Sequence, residues 1–408
     1  MTASFADAWV TRRGAELLLG GRPFRFVGFN AYDLPFKAKA AEVDAVLRAA
    51  SGLGLRVVRT WAFNGNPGSA YAFYGADGTP NEEQFRRVDG ILESARRHGL
   101  KVILVLENYW PDYGGIAATA ARFGVAKLEF FSDPRCRAAY QDHVANLVTR
   151  VNAISGRPYL DDPTLFAWEL MNEPRIDARE DPTPDGRLGD PTGARLGAWL
   201  ADMSRHVKSL DPRHLVGPGA EGHGFRGWGG TTEGWGADPL GVMDQPDVDF
   251  FTFHPYLNES WARHTAADAR RLVSELVAAG HARGKPVLME EWGINQTEPL
   301  FDPAVPGVTG VPPAEGRLIQ PGAASFARAR RDWYRLLLEA FRRAGGDGSL
   351  VWMLETGLRE PHFGIRLDTE LGPGAGVGAS PTDLDILEVL AAEALAIGGG
   401  GGAGDRSE

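Results

Sequence analysis

The chain has 408 residues, 43% of them hydrophobic and 24% charged, a balance that excludes extensive disorder and supplies apolar surface for a large core. Its 43 basic and 53 acidic residues give a net charge of -10, which argues against nucleic acid or an anionic membrane surface as a partner and is compatible with a neutral substrate. The lone cysteine, Cys136, excludes an internal disulfide and a cysteine-rich metal site, and no apolar run approaches the roughly 20 residues of a membrane span.

The opening MTASFADAWVTRRG has no basic stretch followed by an apolar one, so the expectation is a cytoplasmic protein, or a secreted one whose leader has been removed. Residues 9–23 read as a β-hairpin turning at Gly20-Gly21. Eight apolar, β-rich runs follow, at 24–30, 55–63, 101–110, 165–173, 214–222, 248–256, 285–293 and 348–355. Between them lie amphipathic stretches with apolar residues three and four apart, at 82–99, 135–154, 195–210, 266–283 and 326–344. Strands this uniformly apolar are covered on both faces. Eight strand–helix units therefore indicate an α/β fold of the (β/α)8 TIM-barrel type, with a short N-terminal hairpin and long loops at one rim. A doubly wound sheet would carry a glycine-rich phosphate loop after its first strand, but GFNAYDLP stands there instead. The expected organisation is a single catalytic domain over 1–397 and a glycine-rich mobile tail over 398–408.

In such barrels the reacting groups sit at the C-terminal ends of the strands. These ends offer, in order, Asn30 and Tyr32; Arg59 and Trp61; Glu107, Asn108 and Trp110; Asn172 and Glu173; Glu221 and His223; His254 and Tyr256; Glu290, Glu291 and Trp292; and Trp352 and Glu355. A divalent metal would need several His and Asp together, and they are missing here. A phosphate site would need a glycine-rich nest with Lys, and a serine hydrolase would need G-x-S-x-G; neither occurs. Carboxylates among tryptophans fit glycoside hydrolysis, since indole faces stack on sugar C–H faces while two glutamates share acid and nucleophile work. No metal or cofactor is expected. The expected partner is an oligosaccharide or polysaccharide, and oligomeric state is not legible.

Residues 161–175, DDPTLFAWELMNEPR, resemble the fourth-strand motif of glycoside hydrolase family 5, in particular its β-mannanases and β-mannosidases (clan A). LRVVRTWAFN, ENYWPDYGG, DFFTFHPY, KPVLMEEWG and SLVWML resemble that family's motifs at strands 2, 3, 6, 7 and 8, in the same order. The resemblance implies Glu173 as the catalytic acid/base and Glu291 as the nucleophile. It implies Asn172 as a partner of the substrate 2-hydroxyl, Arg59 as the cation that keeps the nucleophile ionised, and His254 and Tyr256 as neighbours of the two carboxylates. Trp352, followed by a non-proline cis peptide, would be the sugar platform. The expected substrate-binding set is Arg59, Trp61, Asn108, Trp110, Asn172, Glu221, His254, Tyr256, Trp292 and Trp352. Trp228, Trp235 and Trp261 fall in or near rim loops, while Trp168, Trp199 and Trp333 fall in regular elements and read as core.

Within the EE pair, alternation along a strand allows only one side chain to face the substrate, and Glu291 is the one followed by aromatic-Gly. The resulting expectation is a retaining hydrolase of β-1,4-mannosidic bonds with carboxyl groups in the short-spacing class. The loops 176–193, 223–241 and 297–320 are long, and folding over the rim they would leave a pocket, which leans the expectation towards exo action. Endo-β-1,4-mannanase, β-1,4-glucanase and a non-catalytic sugar-binding barrel are the alternatives.

Overall fold

The computed structural model describes residues 4–37, 39–66, 68–183, 185–186, 188–190, 192–228, 238–259, 264–304, 318–355, 360–367 and 381–399. The N-terminal segment forms β1 (Val10–Arg13), β2 (Glu16–Leu19) and β3 (Arg22–Pro23), an antiparallel meander. It has one turn more than the expected hairpin: β1 pairs with β2 across Gly14, and β2 pairs with β3 across Gly20-Gly21. Barrel strands and helices then alternate: β4 (Phe26–Asn30), α1 (Ala40–Gly52), β5 (Val57–Trp61), α2 (Glu82–Arg97), β6 (Lys101–Val105), α3 (Gly115–Arg122), α4 (Pro134–Val148) and β7 (Leu165–Glu169). The second half runs α5 (Ala194–Leu210), β8 (Leu215–Gly217), α6 (Pro239–Met243), β9 (Phe251–Phe253), α7 (Ala266–Ala282) and β10 (Val287–Met289). After the short β11 (Leu300–Phe301) and β12 (Leu318–Ile319) come α8 (Phe326–Arg343), β13 (Gly348–Val351), β14 (Leu354–Glu355), β15 (Ile365–Arg366) and α9 (Pro381–Gly399). Helix α9 carries Gly398 and Gly399, the first two residues of the expected tail; 400–408 lie outside the described residues. No described helix is long and apolar enough to cross a membrane.

Eight strands pair in parallel in the order β8-β7-β6-β5-β4-β13-β10-β9, so the first and last barrel strands, β4 and β13, are neighbours. Their inward side chains, among them Phe26, Val57, Ile103, Ala167, Leu288 and Leu350, fill the barrel as a dry plug. A second, larger apolar layer joins the outer strand faces to the helices, where the expected core residues Trp168, Trp199 and Trp333 are buried. Between β8 and β9 the ladder is replaced by Asp249. Its backbone N–H donates to Val216 O (2.8 Å), and its carboxylate accepts from Val216 N (2.9 Å). The same carboxylate binds Lys208 (2.7 Å) and Arg12 of β1 (3.0 Å), fastening the meander to the barrel.

Seven of the eight barrel strands stop short of the apolar runs that announced them; β4 reaches the end of its run at Asn30. The run 101–110 yields a strand only to Val105, 165–173 one to Glu169, and 285–293 one to Met289. The polar residues that follow leave the ladder and rest on isolated bridges, Asn108 to Asn172 and Tyr256 to Gly293.

Asp249→Ala removes the acceptor that stands in for a ladder bond and leaves a buried amide and two cations without it. We expect a loss of about 2–4 kcal/mol in urea unfolding, with the activity per folded molecule retained.

Candidate active site

The ends of strands β4, β7 and β10 converge on one guanidinium, that of Arg59 on β5. Arg59, fully buried, donates from Nε and Nη2 to Glu169 (2.7 and 2.5 Å), from Nη1 to Glu291 Oε1 (2.5 Å) and Asn30 Oδ1 (3.0 Å), and from Nη2 to Asn172 Oδ1 (2.7 Å). Burial disfavours the cation, but the charges of Glu169 and Glu291 outweigh it, so Arg59 stays protonated. Above this floor sit Glu173, His254 and Glu291. His254 Nδ1 lies 2.8 Å from Glu173 Oε1 and 3.7 Å from Glu291 Oε2. One carboxylate oxygen of Glu173 and one of Glu291 lie within 4.8 Å of each other. Tyr256 donates its hydroxyl to Glu291 Oε2 (2.7 Å), and Trp110 donates its indole N–H to Glu173 Oε2 (2.5 Å). The same three residues form the cluster of metal-ligand type among the described residues, and these hydrogen bonds account for its atoms.

The electrostatics follow from burial and pairing. Burial pulls the His254 imidazolium down, yet Glu291, Glu173 and Glu290 push it up to about 10. Burial raises Glu173, but the hydrogen bond and charge of His254, with Arg175 and Trp110, bring it down to about 2. Burial, aided by Glu173, holds Glu291 above the usual carboxylate value against the pull of His254 and Arg59. With Glu173 drawn down and His254 drawn up, the proton of their hydrogen bond is favoured on the imidazole side.

Backbone geometry sets these side chains. Glu173 has φ +52°, the left-handed region, which costs a non-glycine residue about 1–2 kcal/mol. Its N–H is held by Gly219 O (2.8 Å). Gly219, itself at φ +72°, must be glycine: a Cβ there would lie 2.0 Å from Met171 O and 2.4 Å from Glu169 Oε1.

The expected substrate-binding residues separate into layers. Trp352, followed by a cis bond to Met353, is partly exposed and stacks on Tyr32, with centroids 5.5 Å apart and planes 10° apart. Trp110 is also partly exposed, its ring covered on one side by the Arg175 guanidinium at 4.6 Å. Arg175 in turn binds Glu221. Trp61 is buried and tilted beneath Tyr32 (4.6 Å), so it supports the platform from below. Asn108 is fully buried; its Oδ1 accepts from Asn172 Nδ2 (3.0 Å) and Trp110 N (3.2 Å), which makes it a brace for the rim. Trp292 must be corrected: it is fully buried and packs against Tyr334 of α8, outside the barrel, with no face towards the cleft. The EE pair also departs from strict alternation. Leu288 faces the barrel interior, so Glu290 follows it inward; the strand ends at Met289, the chain turns, and Glu291 swings inward as well. Glu107 does not reach the cleft. It lines a lateral cavity of about 940 Å³ beside α3 and α4, and burial pushes its carboxyl up to about 7. Trp228 is buried against His223; Trp235 and Trp261 lie outside the described residues.

Sequence reasoning assigned no role to Glu169 or Arg175. Glu169 carried a signal: a carboxylate in the apolar run LFAWEL demands a buried cation, and VVRTW contains one. Residues 9–310 match a family model described as glycoside hydrolase family 5, β-mannosidase-like. The chain belongs to glycoside hydrolase family 5. Among this family-5 hydrolase's relatives is a putative mannan endo-1,4-beta-mannosidase 5 of rice (Oryza sativa subsp. japonica), 35% identical over 85% of this chain and 70% of its own length. The crystal structure of an endo-1,4-beta-mannanase from Rhizomucor miehei superposes with a TM-score of 0.75 at 25% identity, covering 96% of this chain and 99% of that one. An endo-beta-1,4-mannanase from Thermotoga petrophila superposes at 0.69 and 27% identity, covering 95% and 79%.

The layering of this family-5 site separates two tryptophans. Trp110→Phe keeps the ring and removes the hydrogen bond to Glu173, so kcat should fall about tenfold. Trp292→Phe should lower Tm while leaving kcat/KM within about twofold. Steady-state kinetics and thermal melts on both variants check this pair.

Proposed function

We propose that the protein is a retaining endo-β-1,4-mannanase. The observation that carries the mechanism is the pair Glu173 and Glu291, with oxygens within 4.8 Å of each other and His254 Nδ1 between them. Retaining hydrolases place their carboxyl groups about 5–5.5 Å apart, whereas inverting ones leave about 6.5–9.5 Å for a water. Glu291, held by Arg59 and Tyr256, attacks the anomeric carbon from one face. Glu173 protonates the departing glycosidic oxygen from the other, drawing on the proton it shares with His254 across 2.8 Å. Water then enters where the leaving sugar stood, Glu173 takes its proton, and the glycosyl–Glu291 bond breaks with net retention. No step calls for a metal or cofactor.

The Trp352–Tyr32 face is proposed to carry the sugar whose anomeric carbon reacts, and Trp110, Arg175 and Glu221, next to Glu173, to flank the leaving group. Mannan as substrate and internal cleavage are supported by the names of the rice and fungal relatives. This replaces the exo-acting expectation. That expectation relied on three rim loops, and 229–237 and 305–317, the middles of two of them, lie outside the described residues.

Early mannobiose and mannotriose from mannohexaose, with a fast drop in mannan viscosity, are the expected products; mannose from the first time points would overturn endo action. Glu173→Gln should lower kcat on mannohexaose by about 10²–10⁴-fold, and Glu291→Gln by at least as much.

The pH dependence of kcat/KM should be bell-shaped. As pH falls, Glu291 gains a proton and stops acting as nucleophile, and because its pKa is raised this limb lies above the usual glutamate value. As pH rises, the Glu173–His254 pair loses the proton needed by the leaving group, and with His254 near 10 that limb lies well above neutrality. An alkaline limb below pH 7 would contradict the shared-proton arrangement.

A further inference from the structure

Glu290 is buried, acidic and unused by the mechanism above. Its Oε2 lies 3.5 Å from His254 Nε2 and 4.0 Å from Arg59 Nε, and its carboxyl group also faces that of Glu169. We propose that Glu290 is a positioning residue: from beneath, its carboxylate keeps the His254 imidazole turned and charged so that Nδ1 faces Glu173 with a proton to pass on. The inference rests on the roles proposed for Glu173 and Glu291.

The imidazole is fully buried, so it takes its hydrogen bonds from protein groups. Its Nδ1 faces Glu173 and its Nε2 faces Glu290. A neutral imidazole carries one N–H and can serve one of two acceptors; an imidazolium serves both. Two carboxylates on opposite edges therefore select the charged ring and its orientation together.

The surrounding charges act in the same direction. Glu169 and Glu173 face this space from the end of β7, Glu221 from beyond β8, and Glu290 and Glu291 from the end of β10; all five are buried. The guanidiniums of Arg59 and Arg175 oppose them, and His223 and Tyr256 are the remaining titratable neighbours. Burial drives the His223 ring down to about 3, so it supplies no charge near neutrality. Burial pushes Glu169 and Glu221 up to about 8 and holds Glu291 above the usual carboxylate value, so the acidic groups within hydrogen-bond distance of the ring, Glu173 at Nδ1 and Glu290 at Nε2, are the ones that favour a cation at His254.

Glu290→Gln keeps the shape and removes the charge. Its effect should appear where proton delivery matters. The alkaline limb of kcat/KM on mannotetraose should move down by about one pH unit, a loss of about tenfold on that limb. On 2,4-dinitrophenyl β-mannotrioside, whose leaving group departs without an acid, the loss should stay within about twofold, with KM unchanged on both substrates. In [15N]histidine-labelled enzyme, with His254→Asn identifying the signal, the His254 ring should lose its proton at lower pH in Glu290→Gln than in the wild type. Glu290→Asp should restore part of both effects, and melting curves verify that each variant folds. An unchanged His254 titration with an unchanged alkaline limb would overturn the proposal, as would equal losses on both substrates at every pH. Glu173→Gln and Glu291→Gln run alongside on mannotetraose: turnover within about tenfold of the wild type in either would remove the underlying mechanism, whereas with both lowered by about 10²-fold or more the Glu290→Gln result bears on Glu290 alone.

Discussion

A guanidinium sealed inside a barrel must be fully paired, and that requirement organises this protein's reactive end. Arg59 directs its hydrogen bonds to Glu169, Glu291, Asn30 and Asn172, side chains that come from three different parts of the chain, the ends of β4, β7 and β10. Removing one partner of a buried ion pair costs about 3–5 kcal/mol, because the charge left behind is not solvated. The cluster is thus self-enforcing. The same contacts that stabilise Arg59 fix Glu291 Oε1 in place and leave Oε2 for Tyr256. Positioning of the proposed nucleophile is a by-product of solving a solvation problem, and it needs no flexible side chain at the rim.

The acid side is built differently. Glu173 stands on a left-handed backbone, outside the strand ladder, and is held from three directions by Trp110, His254 and its own N–H to Gly219 O. Behind it a polar chain runs from Asn172 through Asn108 to the backbone of Trp110. One carboxylate is thereby clamped by a cation and the other by hydrogen bonds. That asymmetry suits the proposed division of labour, with the cation-clamped group as nucleophile and the hydrogen-bonded group exchanging a proton with its imidazole neighbour. His254 couples the two, since it faces both carboxylates.

The aromatic residues show a similar division between support and contact. Of the chain's eleven tryptophans, several serve as support rather than contact. Trp168 and Trp333 direct their indole N–H groups to Asp211 and to Phe301 O in the core, and Trp61 and Trp292 are buried layers. The exposed platform at the reacting end narrows to Trp352 on Tyr32, with Trp110 opposite. Stacking one ring on another keeps each face rigid, so that burying a sugar against it costs little side-chain entropy.

What the sequence by itself determined is the repeating frame, within which it singled out a candidate reacting pair. Eight apolar runs, each next to a helix of 3.6-residue period, have one compact solution, and burial on both strand faces writes that solution into composition. Asn-Glu-Pro and Glu-Trp-Gly marked Glu173 and Glu291 as candidates through their resemblance to the family-5 motifs at strands 4 and 7. Tertiary structure alone decided where each strand stops. Residues 106–110 and 290–293 continue the apolar runs in sequence, yet they leave the ladder, and period-2 alternation then loses its power to predict direction. That is why Trp292 turned out to face α8 and why Glu290 and Glu291 both point inward. The pairing of Arg59 with Glu169, 110 positions away, showed in the sequence only as a carboxylate and a cation in two apolar runs, and the raised basicity of His254 did not show at all, since both depend on charges brought within a few ångströms by chain closure rather than on any local pattern.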